Sequence, residues 1–192
     1  VASDKKSVEI LKSINERGRC EIGAHCHPWN TPPFEEERTP RNSFMHNLPP
    51  DLIRKKMDAL QATIKKNFNI EPACFRAGRW GFNRSVAAVL RAMHYRVDSS
   101  MTPFCDWDDS DGGPVFGLKS NDMFYFNEDN YPGFRRGMKM NERINDDDLL
   151  EVPPTIGFLQ PYFIIADLLR TVFKKNMFTP FRALGILEKL KI

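Results

Sequence analysis

What this chain has little of narrows its roles before any motif does. Only four cysteines occur, Cys20, Cys26, Cys74 and Cys105, none in CxxC spacing. That excludes a disulfide-framed scaffold and favours reduced thiols, so a cytoplasmic setting is expected, with association to the cell envelope as the alternative. Long apolar runs are missing too. The stretch Phe163 to Ala166 with Leu168 and Leu169 after it is broken by Asp167 and Arg170, well short of the ~20 residues of a membrane span. Charge of one sign never accumulates beyond the triplets Glu35-Glu36-Glu37 and Asp146-Asp147-Asp148, and the net charge is only +3. A nucleic-acid partner is therefore not expected. Neither an internal repeat nor a low-complexity tract is present.

What remains is an ordinary globular composition, 41% hydrophobic and 28% charged over 192 residues, enough for a substantial core in one domain. The chain opens at Val1 on helix-forming sequence and stops at Ile192 within an amphipathic run. An internal piece of a longer protein is the expectation.

Taken in order, Ser3 can cap a helix with Val8, Leu11 and Ile14 on one face, ended near Gly18. The stretch EIGAHCHPWN, Glu21 to Asn30, then reads as the end of a buried strand. In an extended chain, side chains at i and i+2 share a face, so His25 and His27 converge while Cys26 turns away. Two neutral imidazoles converging on one point supply half of a tetrahedral metal shell. The plain alternative is a pair of surface histidines beside a turn opened by Pro28. The polar, proline-bearing segment from Trp29 to Asn47 reads as a long loop over that strand end.

Pro50 opens a second helix with Ile53, Met57, Leu60 and Ile64 inward, stopped by Asn67 and Asn69. A short strand, Ala73 to Phe75, runs into Arg76-Ala77-Gly78-Arg79-Trp80-Gly81. Asn83 caps a third helix with Val86, Val89, Leu90 and Met93 inward, and Tyr95 to Asp98 is the next strand. Met101 to Asp148 is irregular, with an acidic DWDDSDGG, an aromatic patch at Phe124-Tyr125-Phe126 and a basic Arg135-Arg136 pair. Leu149 to Val152 is a further buried strand, and helices follow at about 162–174 and 180–191. Strand, helix and strand in alternation predict a parallel α/β sheet whose C-terminal strand ends share one rim.

Groups leaving those ends are the ones that can meet over a substrate. They are His25 and His27, Arg76 and Arg79, Asp98, and the turn from Glu151 to Thr155. Metal ligands, a cation for a carboxylate or oxyanion, and a carboxylate together support metal-assisted hydrolysis. The plain alternatives are a structural ion pair for Arg76 and a turn cap for Asp98. Trp29, Trp80 and Trp107 could stack on sugar rings or serve as core, and Trp29 adjoins the histidines. DWDDSDGG lacks the glycine and closing glutamate of a calcium loop and reads as a solvated turn. His46 and His94 look incidental.

The order EIGAHCHPW, helix, FRAGRWGFN, helix, YRVDSS resembles the polysaccharide deacetylase family, the NodB homology domain of carbohydrate esterase family 4, across most of the chain. The resemblance implies an irregular (β/α) barrel of the glycoside hydrolase/deacetylase type, with 1–192 one incomplete domain of it. It implies a divalent metal, usually zinc, and removal of acetyl groups from a polysaccharide or amino sugar. By it, His25 and His27 are the metal ligands, and Arg76 orients the catalytic base. From their places at the strand ends and beside the histidines, rather than from the resemblance, Asp98 is expected as a further catalytic residue and Trp29, Arg79 and Trp80 as substrate contacts. The pattern departs from the family in two ways. The histidines stand closer together here, and the family's early aspartate pair and late histidine are absent, which also favours a piece cut at both ends. Competing readings are an amidohydrolase-type metal hydrolase, which would want further histidines on later strands, and a carbohydrate-binding protein on the same fold without chemistry.

Overall fold

A computed structural model describes residues 2–108, 111–129, 131 and 145–156. The expected helices at 162–174 and 180–191 and the Arg135-Arg136 pair lie outside the described residues. Helix α1, Lys5–Asn15, is capped by Asp4, whose carboxylate accepts from Ser7 N at 2.8 Å. The sequence suggested Ser3; Asp4 takes the role because it stands three residues before the amide that needs an acceptor. Gly18, with φ 67, takes the left-handed turn beyond the helix. Of the face expected inward, Leu11 packs half-buried against the core, while Ile14 is exposed.

Helix α2, Pro50–Phe68, starts on the proline that the first helical position favours and stops where Asn69 turns left-handed at φ 56. It buries Leu52, Ile53, Met57 and Ile64, and with them a lysine, Lys56. Helix α3, Arg84–Ala92, is capped as expected: Asn83 accepts from Val86 N at 3.0 Å, and Val86, Val89 and Leu90 are buried. Truncating a fully buried side chain such as Leu90 would cost about 2–5 kcal/mol.

Five short strands form one sheet in the order β1-β2-β3-β5-β4, with β1 Ala24–Cys26, β2 Cys74–Ala77, β3 Val97–Asp98, β4 Phe124–Phe126 and β5 Leu149–Glu151. β1, β2, β3 and β5 run parallel, so their C-terminal ends do share a rim. β4, from the aromatic patch, pairs antiparallel to β5. The class is mixed α/β, as expected. Among the described residues the sheet is open, with β1 and β4 as its edges, and does not itself close into a barrel.

Register sorts side chains by face. Ala24, Phe75, Asp98, Glu151 and Phe124 lie in one row across the sheet, all on its buried side. His25 and Arg76 form the next row and point to the open side. Helix α2 packs on β1 and on α3, so the apolar row is covered and the histidine row is not. No helix of the described residues is long and apolar enough to cross a membrane.

Candidate functional site

The exposed middle residue of β1 is His25, and the chain is still extended at His27 (φ −113, ψ 125), so the two rings reach the same side. Their Nε2 atoms lie 2.9 Å apart, with the rings perpendicular. Nδ1 of His25 is 2.8 Å from the Arg76 carbonyl oxygen on the neighbouring strand. A carbonyl only accepts, so Nδ1 carries the proton and Nε2 presents a lone pair. The short contact between rings then assigns the donating Nε2–H to His27. Its Nδ1 is left as a lone pair, buried without a partner. Gly78 is what makes room for it: a Cβ there would lie 2.2 Å from His27 Nδ1 and 2.6 Å from the Cys26 carbonyl oxygen. Burial, His25 and Arg79 together hold the His27 pKa below the ordinary imidazole value, so this ring is neutral at neutral pH. Cys26 faces away and is buried, which pushes its thiol up to about 11 and leaves it inert.

Two neutral imidazoles with one ring oriented by a backbone carbonyl are the donor chemistry of a zinc site. A tetrahedral ion at about 2.0–2.1 Å sets two ligand nitrogens about 3.3 Å apart, so the pair needs to open by only a few tenths of an ångström. The pair fits as two of an ion's donors provided that the His27 proton moves from Nε2 to Nδ1. Among the described residues no further histidine, cysteine, aspartate or glutamate completes a group of three.

The loop after His27 is held from below. Lys56, fully buried on α2, donates through Nζ to the carbonyls of Pro28 at 3.1 Å, Thr31 at 2.8 Å and Pro33 at 2.6 Å, and pairs with buried Glu36 at 2.9 Å. One ammonium thus gathers the whole turn that follows the second histidine. Trp29, on that turn, is 43% exposed, and its ring centroid lies 4.2 Å from that of His27. Lys56 was missed from sequence. Its signal was there: it stands three residues after Ile53 and beside Met57, on the apolar stripe of α2, where a free charge does not belong.

Arg76 and Arg79 reach the same open side. Arg76 donates from Nε to Ser99 O at 3.1 Å and from Nη2 to Ser99 Oγ at 2.8 Å, and lies 5.6 Å from the Trp80 ring centroid. Arg79 donates to Ser43 Oγ and stacks 4.0 Å over Phe44. Arg79 and Trp80 both adopt positive φ, 52° and 60°. Gly81 makes that turn possible, since a Cβ there would meet Met45 N at 2.7 Å. Trp80 is half-buried and stacks on Trp107.

Asp98 does not join this group. In register with Phe75 rather than Arg76, it lies on the buried side, 0% exposed, accepting from Ser100 Oγ at 2.6 Å and Ser100 N at 3.2 Å. Its cross-strand neighbour is Glu151, equally buried, which accepts from Met101 N at 3.0 Å. Burial pushes Asp98 up to about 6, and burial together with the Asp98 charge pushes Glu151 well above the usual carboxylate range. Glu151 Oε2 has no ordinary donor because its partner is the other carboxyl: protonated Glu151 donates and Asp98 accepts. Both carboxyls also push up the phenol of half-buried Tyr131, after desolvation itself.

A scan against protein-family models found no match, and neither did a comparison with curated proteins. Among solved structures, the crystal structure of a Mycobacterium smegmatis protein provisionally named a polysaccharide deacetylase matches 87% of this chain and 48% of its own, at 15% identity and a TM-score of 0.46. This chain spans about half the length of that structure, and the likeness assigns no residue role here.

Proposed function

We propose that this chain belongs to a metal-dependent hydrolase that removes acetyl groups from a polysaccharide or amino sugar, built on an irregular (β/α) barrel to which the described sheet contributes. The observation that carries the reading is the meeting of His25 Nε2 and His27 Nε2 on an open sheet face, with His25 turned lone pair outward by the Arg76 carbonyl. The resemblance of the motif order EIGAHCHPW, FRAGRWGFN and YRVDSS to the deacetylase pattern suggests the reaction class.

His25 and His27 would hold a divalent ion, zinc by their donor chemistry, which when bound supplies Lewis acidity and a water of lowered pKa. The chain's own residues have separate tasks. Arg76 fixes the His25 tautomer through its carbonyl and presents a guanidinium on the same face. Gly78 gives the His27 ring its space, and Lys56 fixes the turn behind it. Trp29 and Trp80 offer ring faces for a sugar, and Arg79 an additional donor. Asp98, buried beneath the sheet, is left out of the chemistry and supports the Ser99-Ser100 turn on which Arg76 rests.

The experiment is metal content together with acetate release from an acetylated chitooligosaccharide, on the full-length protein and its His25→Ala/His27→Ala variant. Bound zinc and acetate release both lost in the variant is the expected result. Acetate release unchanged in the double variant overturns the proposal, and a protein that never binds metal yet retains affinity for the sugar is a binding module instead.

A further inference from the structure

We propose that the histidine face receives an acidic saccharide, one bearing a carboxylate, phosphate or sulfate, and that Arg79 together with Arg76 is the site that grips its oxyanion. The inference rests on the deacetylase reading only for the word saccharide.

The first argument is charge. Ion pairs among the described residues occupy Arg54, Lys55, Lys56, Lys65, Arg84 and Arg91. Arg76 and Arg79 make none with the described residues, although both have ordered partners there. Each is held by a serine hydroxyl and an aromatic face, Ser99 and Trp80 for one, Ser43 and Phe44 for the other. A guanidinium held in this way keeps several N–H donors unspent in a planar fork, which matches a carboxylate or phosphate better than a neutral hydroxyl.

The second argument is position. Arg76 stands in register with His25, and Arg79 follows the glycine against which His27 packs, so both cations come from β2 and the turn after it, beside the imidazole pair. The carboxyls nearest them, Asp98 and Glu151, belong to the opposite, buried row, where Glu151 feels the Arg76 charge without pairing with it. The third is backbone. Two consecutive non-glycine residues, Arg79 and Trp80, are kept left-handed, a costly conformation that concentrates at ligand sites. It places a cation and an indole side by side, a pairing suited to a charged sugar.

The test is calorimetric binding to the full-length protein with a chelator present, so that no metal ion can report for the arginines. The probes are a galacturonate oligomer, an N-acetylglucosamine oligomer of equal length, and glucose 6-phosphate. The galacturonate oligomer is expected to bind at least about tenfold more tightly than the neutral one, with the preference shrinking as salt is raised. Arg79→Gln should erase the preference, Arg79→Lys should keep part of it, and Arg54→Gln on α2 should leave it unchanged. Thermal melting of each variant separates loss of the site from loss of the fold, and the lysine rescue does so independently. Preference for glucose 6-phosphate over the uronate keeps the oxyanion site and assigns it to phosphate. Equal binding of acidic and neutral oligomers, no acidic binding, or a preference that survives Arg79→Gln overturns the inference. The two readings fail separately. Anion preference lost with Arg79→Gln, in a protein whose acetate release is unchanged by loss of His25 and His27, sinks the deacetylase reading alone. Acetate release without any anion preference sinks this inference alone.

Discussion

Replacing Lys56 by Met keeps the length of the side chain and removes its charge, which isolates what the ammonium does under the histidine turn. In the native protein Nζ serves the carbonyls of Pro28, Thr31 and Pro33 and the carboxylate of Glu36, itself only 7% exposed. Without it, Glu36 is a buried charge with no counterion, and removing one partner of a buried pair costs about 3–5 kcal/mol. The loop lies at the surface, so its carbonyls can turn to water, which favours the lower end of that range. Glu36→Gln should cost less, about 1–2 kcal/mol, because Lys56 keeps its carbonyls. The double variant should then be less destabilised than the sum of the singles by about 1–3 kcal/mol, since no stranded charge remains. Urea denaturation of the four proteins measures this directly. Trp29, between two of the gathered carbonyls, gives a local reading: its fluorescence should change, and the chain from 28 to 36 should become open to a glutamate-specific protease. A cost under about 1 kcal/mol for Lys56→Met, or strict additivity, would refute the view that this lysine organises the turn.

The buried carboxyl pair predicts a pH dependence. Asp98 has a folded-state pKa of about 6 against an ordinary value of 3.8, so the folded protein keeps a proton that the unfolded chain has released. The stability this contributes is full below the ordinary value and is lost as pH rises through about 6. The loss amounts to roughly 3 kcal/mol at most, and Glu151 extends it to higher pH. Glu151→Gln should flatten the melting temperature against pH above about 6, and superimposable curves for variant and native protein would end that account. Gly78→Ala must displace the His27 ring, because the new methyl would lie 2.2 Å from Nδ1. A loss of about 1–3 kcal/mol is expected, with the imidazole nitrogen shifts of His27 moving in NMR spectra; unchanged shifts would mean that the ring does not depend on this glycine.

Much of the fold could be read locally, because its signals are local. Pro50 at a helix start, Asn83 with its acceptor three residues before Val86, and the alternation that brings His25 to His27 each need only a few neighbours in sequence. Other features depend on distant partners. The place of Lys56 on the apolar stripe marks it as odd, but what it serves, the carbonyls of a loop more than twenty residues earlier, is not local. The edge strand Phe124–Phe126 could not be placed from its aromatic run alone, since it is β5, later in the chain, that gives it a partner. Tyr95 was expected to begin β3, which instead starts at Val97. His94 turns left-handed at φ 62 just before it, and the chain needs that turn to bring Tyr95 into the core.

Asp98 shows why a rim position does not by itself make a site residue. A parallel strand end carries side chains to both faces, and which face depends on parity relative to the neighbour. Phe75 has to be buried, so Arg76 has to be exposed; Asp98 pairs with Phe75 and inherits the buried side. A slip of one residue in β3 would set its carboxylate beside Arg76 and the histidines, as the sequence suggested, but would bring Val97 opposite Phe75 in its place and turn Ser99 to the buried side. The observed register places two carboxyls, Asp98 and Glu151, where water does not reach. That arrangement is tolerable only with one proton shared between them and donors from Ser100 and Met101 supplied by the turn that follows β3. The same turn gives Arg76 its Ser99 anchor on the other side of the sheet. A change at the buried pair should therefore reach the open face through residues 99 to 101. This predicts that Glu151→Gln alters the Arg76 side-chain resonances even though the two residues lie on opposite faces. Unperturbed Arg76 resonances in a folded variant would show that the turn is stiff enough to keep the two faces independent.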